Sequence, residues 1–219
     1  VLIDTLSFEK YREGQLWPAY KQFCQHFLGP LALMSYTDIR LSQLSRVHLD
    51  GIPLDLVSRL LPIRTRFQFS LLFHIHLHAR NQKQSAQEPR DISRLKMARR
   101  ALLGLIDNLT AAVQKLRWNP GNTEWADYYR DFSYSPHALA HKKELVTQML
   151  ETAHPKILWD LGANTGLFSR LLLSQRDLTV SFDSDPAAVE KNTLESIERR
   201  ETNHLSLVAD VCNPSPGIG

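Results

Sequence analysis

The most constraining stretch of this sequence is residues 156–166, where a short apolar segment is followed directly by one glycine and, four residues later, by a second. Ile157–Leu161 is an apolar run that ends next to an acid, a pattern typical of a buried parallel strand. Gly162 and Gly166 enclose a tight turn, and leucines at helical spacing follow over Leu167–Leu172. Strand, glycine turn and helix form a half-unit that binds nucleotides, because glycine lets the backbone approach a ligand and a helix N-terminus offers free N–H groups.

The position of the acid distinguishes this unit from a dinucleotide-binding fingerprint. That fingerprint reads Gly-x-Gly-x-x-Gly, with its acid about 20 residues further on. Here Asp160 precedes Gly162 by two residues, and the pattern is Asp-x-Gly-x-Asn-x-Gly. It resembles motif I of class I S-adenosylmethionine (SAM)-dependent methyltransferases, with Asn164 in place of the middle glycine. The Asn is a mild departure, because Asn tolerates a left-handed backbone. The position of Asp160 and the missing Gly-x-Gly-x-x-Gly disfavour an NAD-linked oxidoreductase.

Two further acids end predicted strands. Leu178–Asp183 reads as a second strand, with Asp183 lying 23 residues after Asp160. Asp185 and Pro186 then suit the N-cap and first position of a helix, and His204–Asp210 reads as a third strand. One such acid could merely cap a strand-to-helix turn. Three of them in βαβαβ order, together with the glycine turn, favour the methyltransferase resemblance.

The resemblance implies an α/β, Rossmann-like domain over residues 119–219, incomplete at its C-terminal end, that binds the cofactor SAM. Asp160 would orient the ammonium of SAM, Asp183 would accept the ribose hydroxyls, and Asp210 would contact the adenine amino group. The expected cofactor contacts are Asp160, Gly162, Ala163, Asn164, Gly166, Asp183, Asp210, Val211 and Tyr134.

The resemblance also implies methyl transfer, but the sequence identifies neither the acceptor nor a catalytic residue. In the family the catalytic motif follows strand four, which would lie beyond Gly219. Asn213–Pro216 is superficially similar to the Asn-Pro-Pro-Tyr box of amino-methylating enzymes. It follows the third strand and lacks the aromatic residue, so we reject it as catalytic.

A helix is predicted immediately before the glycine motif. Ser135 suits its N-cap and Pro136 its first position, and the helix should run to about Ala153. A helix here, with Lys142 or Lys143 in it, is common in the superfamily, and its preceding loop often closes over SAM. The tyrosines of that segment could form such a lid or could join two domains, and both readings stay open: Tyr128, Tyr129 and Tyr134.

Residues 1–118 are predicted to form a separate, mostly α-helical domain, because Asn119–Asn122 reads Asn-Pro-Gly-Asn and breaks any helix. We expect a helix from Trp17 that breaks at Gly29-Pro30 and a long helix capped by Asp91 or Ser93. The predicted helices of this half are Trp17–Leu33, Leu41–Leu49, Leu54–Leu61, Ser70–Gln84 and Asp91–Trp118.

The pattern His74-Ile-His-Leu-His78 invites a metal hypothesis, because His74 and His78 lie one turn apart on a predicted helix. A third ligand is not evident, since no Glu lies between them and neither cysteine is near in sequence. Buried or surface histidines explain the same letters. We therefore predict no metal site.

The charge is uneven along the chain. Residues 1–117 carry 17 Lys and Arg against 9 Asp and Glu, whereas residues 118–219 carry 9 against 14. The alternative to an enzyme is thus a non-catalytic SAM-fold module whose basic helical half binds nucleic acid or a protein partner. Solvated helix faces are the simpler explanation, because the basic residues are spread out.

The sequence contains neither a membrane-length apolar run nor a recognisable signal peptide, and Cys24 and Cys212 lack any partner motif. We therefore expect a cytoplasmic protein that does not interact with membranes. The start without Met and the stop after three strands lead us to expect a truncated sequence.

The whole chain resembles a bacterial methyltransferase-like group often labelled nodulation-protein-related, through Leu41–Leu44, Asp50–Asp55 and His74–His78. Separately, Val1–Asp4 and Trp17–Tyr20 are similar to the metal-binding strand and following helix of an aminoglycoside-kinase-like C-lobe, in which the strand's Asp would hold Mg²⁺. The hypothesis is that the helical half is a remnant of such a lobe.

Overall fold

Residues 10–81, 96–120 and 135–212 are described by a computed structural model, and the chain divides into two units, Val1–Trp118 and Asn119–Ile218. Within the described residues, no helix combines the length and the apolar character needed to cross a membrane. Several predictions concern residues outside these ranges: the kinase-like strand with Asp4, the caps Asp91 and Ser93, the tyrosines Tyr128, Tyr129 and Tyr134, and the segment Asn213–Pro216.

The described part of the first unit consists of several short helices and one long helix. They are α1 (Tyr20–Phe23), a π-helical segment (Cys24–Leu28), α2 (Gly29–Tyr36), a 3₁₀ helix (Ile39–Gln43), α3 (Leu44–Val47), α4 (Leu54–Leu60), a second 3₁₀ helix (Ile63–Phe67), α5 (Phe69–Leu71), a second π-helical segment (Leu72–Leu77) and α6 (Arg99–Lys115). Their buried core contains Leu28, Ala32, Leu33, Ile52, Val57, Leu61, Leu71, Ile75, Leu109 and Ala112.

The predicted break at Gly29-Pro30 is wrong, because the helix runs on through these residues. Pro30 lies in the first turn of α2, directly after the π-helical segment Cys24–Leu28. The Gly29 N–H donates to the Cys24 carbonyl, five residues back. The wider π turn is where the helix accommodates a proline that an α-helix interior would exclude.

The predicted start of the long helix is also wrong within the described residues. Helix α6 begins at Arg99, after Ala98 in an extended conformation. The Met97 N–H donates to the Gly14 carbonyl at 3.0 Å, in an isolated antiparallel bridge. The backbone before Arg99 therefore pairs with a distant segment rather than continuing the helix.

The second unit contains a parallel sheet in the order β1-β2-β3, formed by β1 (Ile157–Leu161), β2 (Leu178–Asp183) and β3 (His204–Val208). Helix α7 (Pro136–Ala153) precedes β1, and α8 (Pro186–Glu198) connects β2 to β3. Both predicted N-caps are present: Ser135 Oγ accepts the Ala138 N–H at 3.2 Å, and Asp185 accepts the Ala187 N–H at 2.9 Å. This arrangement is compatible with a Rossmann-like fold.

The predicted α-helix between β1 and β2 is absent. Residues 164–172 form successive turns, followed by a short 3₁₀ helix, Leu173–Gln175. Leu172 has φ of +56°, which an α-helix does not allow. The guanidinium groups of Arg170 and Arg176 donate to main-chain carbonyls of this segment. Side chains thus satisfy carbonyls that a helix would satisfy with its own N–H groups.

The two faces of the sheet differ in chemistry. The face on which α8 packs is polar and carries Asp160, Thr179, Ser181 and His204. The opposite face carries Trp159, which is 67% exposed, together with apolar side chains from all three strands: Ile157, Leu161, Val180, Phe182, Leu205 and Leu207. The expectation that β1 is buried is therefore wrong: Ile157, Trp159 and Leu161 are each more than half exposed, and of the apolar side chains named for this face only central Val180 is buried.

Candidate cofactor site

The glycine turn after β1 is fixed to the end of β2. The N–H groups of Gly162 and Ala163 both donate to the Phe182 carbonyl, at 2.9 and 3.0 Å. Gly162, Asn164 and Gly166 have φ values of +79°, +50° and +80°. All three positions therefore require a left-handed backbone, which glycine adopts freely and asparagine tolerates.

The two glycines meet different surroundings. A Cβ placed on Gly162 would find no atom within 4 Å, so this part of the turn borders open space. A Cβ placed on Gly166 would collide with the side chains of Arg170 and Asn192. Gly162 can thus let a ligand approach the backbone, whereas Gly166 is required by close protein packing.

Asp183 connects the ends of the first two strands. Its Oδ2 accepts the Asn164 N–H at 2.7 Å, and its Oδ1 accepts the Asp185 N–H at 2.9 Å. The Asp183 carbonyl accepts the Ala209 N–H at 2.9 Å, just beyond β3. The structure therefore brings the acid of β2 next to the glycine turn and the segment after β3.

Asp160 and Asp210 lie at the ends of the outer strands. Asp160 is half-buried, and its Oδ2 accepts the Ser169 hydroxyl at 2.6 Å. Asp210 is exposed, follows the last residue of β3 by two positions and accepts the Cys212 N–H at 2.9 Å. Val211 is 57% exposed. Tyr134, the remaining predicted contact, lies outside the described residues.

Sequence reasoning missed a group of polar residues beneath this edge of the sheet. Ser169 and Ser181 are 0% and 2% exposed, and their hydroxyls lie 2.7 Å apart. Ser181 Oγ is 2.6 Å from Nε2 of His204, whose side chain is fully buried. Thr179 and Ser181 alternate with apolar residues along β2, and that alternation was the signal of a polar buried face.

An ion pair closes the far end of this polar group. Arg170 Nε donates to Glu201 at 3.0 Å, with both side chains about one-tenth exposed. Burial lowers the pKa of His204, against the opposing effect of its contact with Glu201. For Glu201, burial raises the pKa, but hydrogen bonds from His204, Ser196 and Arg170 outweigh it and the pKa is lowered.

Two buried histidines of the first unit, His74 and His76, are hydrogen-bonded to protein groups. His74 contacts Tyr20 Oη at 2.7 Å and Asn108 Oδ1 at 2.9 Å. His76 contacts Ser58 and Thr65 in the same way, at 2.7 and 2.9 Å. Across residues 10–81, 96–120 and 135–212, no three potential metal ligands come together.

No model of a known protein family matches the chain. The chain is 32% identical over 223 residues to the nodulation protein NoeA of Rhizobium meliloti (strain 1021). The alignment covers 99% of this chain and 47% of that relative, so the chain spans about half the length of the curated relative it matches. This similarity is in line with the resemblance of the whole chain to the nodulation-protein-related group.

A solved structure of a Pyrococcus horikoshii protein, provisionally described as an RNA methyltransferase, is 18% identical. The match covers 48% of this chain and 52% of the chain in that structure, with a TM-score of 0.32. A likeness this slight supports no conclusion about fold or activity.

Proposed function

We propose that this chain provides the cofactor-binding part of a SAM-dependent methyltransferase whose methyl acceptor is not assigned. The observation that carries the proposal is the hydrogen bond from the Asn164 N–H to Asp183 at 2.7 Å. It places a strand-end acid beside a glycine turn at the carboxyl edge of a parallel sheet, the edge at which such sheets bind ligands.

The donor and acceptor set fits the polar parts of SAM. Asp183 accepts one N–H on each oxygen, and each carboxylate oxygen has a second lone pair for a ribose hydroxyl. Asp160 uses Oδ2 for Ser169, which leaves Oδ1 to accept from an ammonium. Gly162 borders open space where a ligand can approach the turn.

When bound, SAM supplies a methyl group that its sulfonium already makes electrophilic. The chain then has to bind and orient the cofactor so that a nucleophile can approach opposite the departing sulfur. We assign Asp160, Gly162, Ala163, Asn164 and Gly166 to the methionine end. Asp183 is assigned to the ribose, and Asp210 with Val211 to the adenine.

Calorimetric titration of SAM and of its demethylated product into the full-length protein tests the proposal. We expect saturable binding in the wild type and its loss in Asp183→Ala. The control Asp177→Ala, at an exposed position directly before β2, should bind like the wild type. A folded full-length protein that binds neither compound would overturn the proposal.

A second candidate function is binding of single-stranded nucleic acid by the first unit. Phe67 and Phe69 are 86% and 71% exposed, and exposed Arg64 and Arg66 precede them. Exposed aromatic rings beside cationic side chains can stack bases and attract phosphates. This half of the chain is also the basic one, in agreement with such a partner.

Fluorescence anisotropy with a labelled single-stranded RNA tests this candidate. We expect binding that weakens steeply between about 50 and 200 mM salt and that falls several-fold in Phe67→Ala. Val47→Ala, at another exposed apolar position that is 74% exposed, serves as the control. Equal RNA affinity in the wild type and in Phe67→Ala would exclude the aromatic surface as the binding site.

A further inference from the structure

A continuous chain of hydrogen bonds leads away from Asp160 into the buried face of the sheet. Asp160 Oδ2 is 2.6 Å from Ser169 Oγ, which is 2.7 Å from Ser181 Oγ, and Ser181 Oγ is 2.6 Å from His204 Nε2. Both serines and the histidine side chain are almost completely buried. We call these four residues the Asp160 relay.

The chemistry of a carboxylate fixes the direction of the protons in the relay. An ionised Asp160 can only accept, so the Ser169 hydroxyl donates to it. Ser181 must then donate to Ser169, because the Ser169 proton is already used. The Ser181 oxygen is left as an acceptor, so His204 has to donate from Nε2. Neutral His204 is therefore expected as the Nε2–H tautomer.

The other ring nitrogen of His204 has two competing partners. Nδ1 lies 3.0 Å from Ser196 Oγ and 3.1 Å from Glu201 Oε2. A neutral ring accepts the Ser196 hydroxyl at Nδ1. A protonated ring donates to Glu201 instead, and the Ser196 hydroxyl turns to the Asn192 carbonyl, 3.1 Å away. The two states of the relay thus differ by one proton at Nδ1.

Charged groups surround His204 on the elements packed against it. Burial and Arg170 lower the pKa of His204, whereas Glu201 and Asp160 raise it. Arg170 also contacts Glu195 on α8, at 3.5 Å. Because Asp160 favours the protonated ring, a cation bound to Asp160 cancels part of that effect and favours the neutral ring. Linkage makes the coupling reciprocal, so a protonated ring weakens cation binding.

We propose that Ser169, Ser181 and His204 are positioning residues for Asp160, and that uptake of a proton by His204 weakens binding of an ammonium group at Asp160. The first part concerns the unliganded protein and stands on the hydrogen-bond geometry. The second part rests on the proposed function, because it takes the ammonium of SAM as the cation.

Nitrogen-15 NMR of histidine-labelled full-length protein tests the first part without any cofactor. At pH 8 we expect His204 to show the Nε2–H tautomer, with Nδ1 unprotonated, and to gain a proton at Nδ1 on acidification. Assignment is made by loss of the signal in His204→Gln. The Nδ1–H tautomer at pH 8 would overturn the relay, whereas a ring that never protonates in the folded protein would overturn the coupling.

Calorimetric titration of SAM between pH 5 and 7 tests the second part, since neither the carboxylate nor the amine of SAM titrates in most of this range. For the wild type we expect the dissociation constant to rise at least about fivefold from pH 7 to pH 5. In His204→Gln, whose Nε2 amide can still donate to Ser181, this dependence should disappear. His204→Leu, which cannot donate, should bind more weakly than His204→Gln at pH 7.

Two further variants separate the possible failures. Ser181→Ala interrupts the relay while keeping His204, so it should weaken binding at pH 7 but retain the part of the pH dependence that the charge of His204 carries. His141→Gln, at an exposed histidine on α7, should retain the wild-type dependence. Equal pH dependence in the wild type and His204→Gln would overturn the coupling. Absence of SAM binding in the wild type would instead remove the proposed function and with it the coupling, while the tautomer measurement still decides the relay.

Discussion

Asp183 holds the main chain of Asn164 in place, with its Oδ2 2.7 Å from the Asn164 nitrogen. The other carboxylate oxygen accepts the Asp185 N–H at the start of α8. One side chain therefore joins the turn after β1 to the helix after β2. The acid that the methyltransferase resemblance assigns to ribose binding also organises the protein around the site.

Replacement of Asp183 by Asn tests how much the two N–H contacts of its carboxylate stabilise the protein. An Asn side chain has one acceptor oxygen, so its NH₂ group must face one of the two N–H donors. We expect the free energy of unfolding to fall by about 1–3 kcal/mol, measured by urea denaturation. The matched change Asp177→Asn, at an exposed position, should stay within about 0.5 kcal/mol. Equal stabilities would show that the two N–H contacts contribute nothing.

Alanine at the two glycines of the turn should have unequal effects. Both positions have φ near +80°, so each substitution costs about 1–2 kcal/mol of backbone strain. Gly166→Ala also drives a methyl group into Arg170 and Asn192, whereas Gly162→Ala meets open space. Thermal unfolding should show the larger loss for Gly166→Ala. SAM titration should show that Gly162→Ala weakens binding although it is the less destabilising change.

Two arginines of the second unit should differ in their contribution to stability. Arg170 is 10% exposed and pairs with buried Glu201, while Arg199 is 57% exposed and pairs with Glu195. Arg170→Ala leaves a buried carboxylate without its cation and should cost about 3 kcal/mol or more. Arg199→Ala should cost less than about 1 kcal/mol. Similar losses in chemical denaturation would contradict the assignment of Glu201 to a buried ion pair.

The first unit should lose stability in acid. Burial lowers the pKa of His74, His76 and His78 below the ordinary value near 6.5. As the pH falls, these histidines take up protons in the unfolded chain before they do so in the folded chain. Their contribution to the free energy of unfolding is therefore complete above about pH 6.5 and is lost as the pH falls through their folded pKa values. Circular dichroism melts between pH 5 and 8 measure the slope. His76→Gln should reduce it, and His26→Gln, at an exposed position, should not.

Features with local causes could be predicted from the sequence. Ser135 and Asp185 cap their helices as predicted, because a cap depends on a side chain and the next three residues. Strands β1 and β2 form where predicted, since apolar runs bounded by turn residues define them. The third strand begins at His204 as predicted but ends at Val208, two residues before the predicted end at Asp210. The placement of Asp160, Asp183 and Asp210 as cofactor contacts remains a prediction.

Features set by tertiary contacts could not be predicted. The segment after Gly166 forms turns in place of an α-helix, and the side chains of Arg170 and Arg176 fold back on it and donate to its carbonyls. The helix through Pro30 survives because of a π turn that no sequence pattern announces. The Asp160 relay could not be predicted because its residues come from a turn and three strands, and the outermost two, Asp160 and His204, are 44 residues apart in sequence.

The apolar face of the sheet has a practical consequence in solution. Ile157, Trp159 and Leu161 are each more than half exposed, and a surface of this kind drives self-association unless another layer covers it. Trp159 can report which situation holds, once the other three tryptophans of the chain are replaced by phenylalanine. Strong quenching of its fluorescence by acrylamide would mark preparations that are prone to aggregate. A shielded, blue-shifted emission would mark those in which the face is covered.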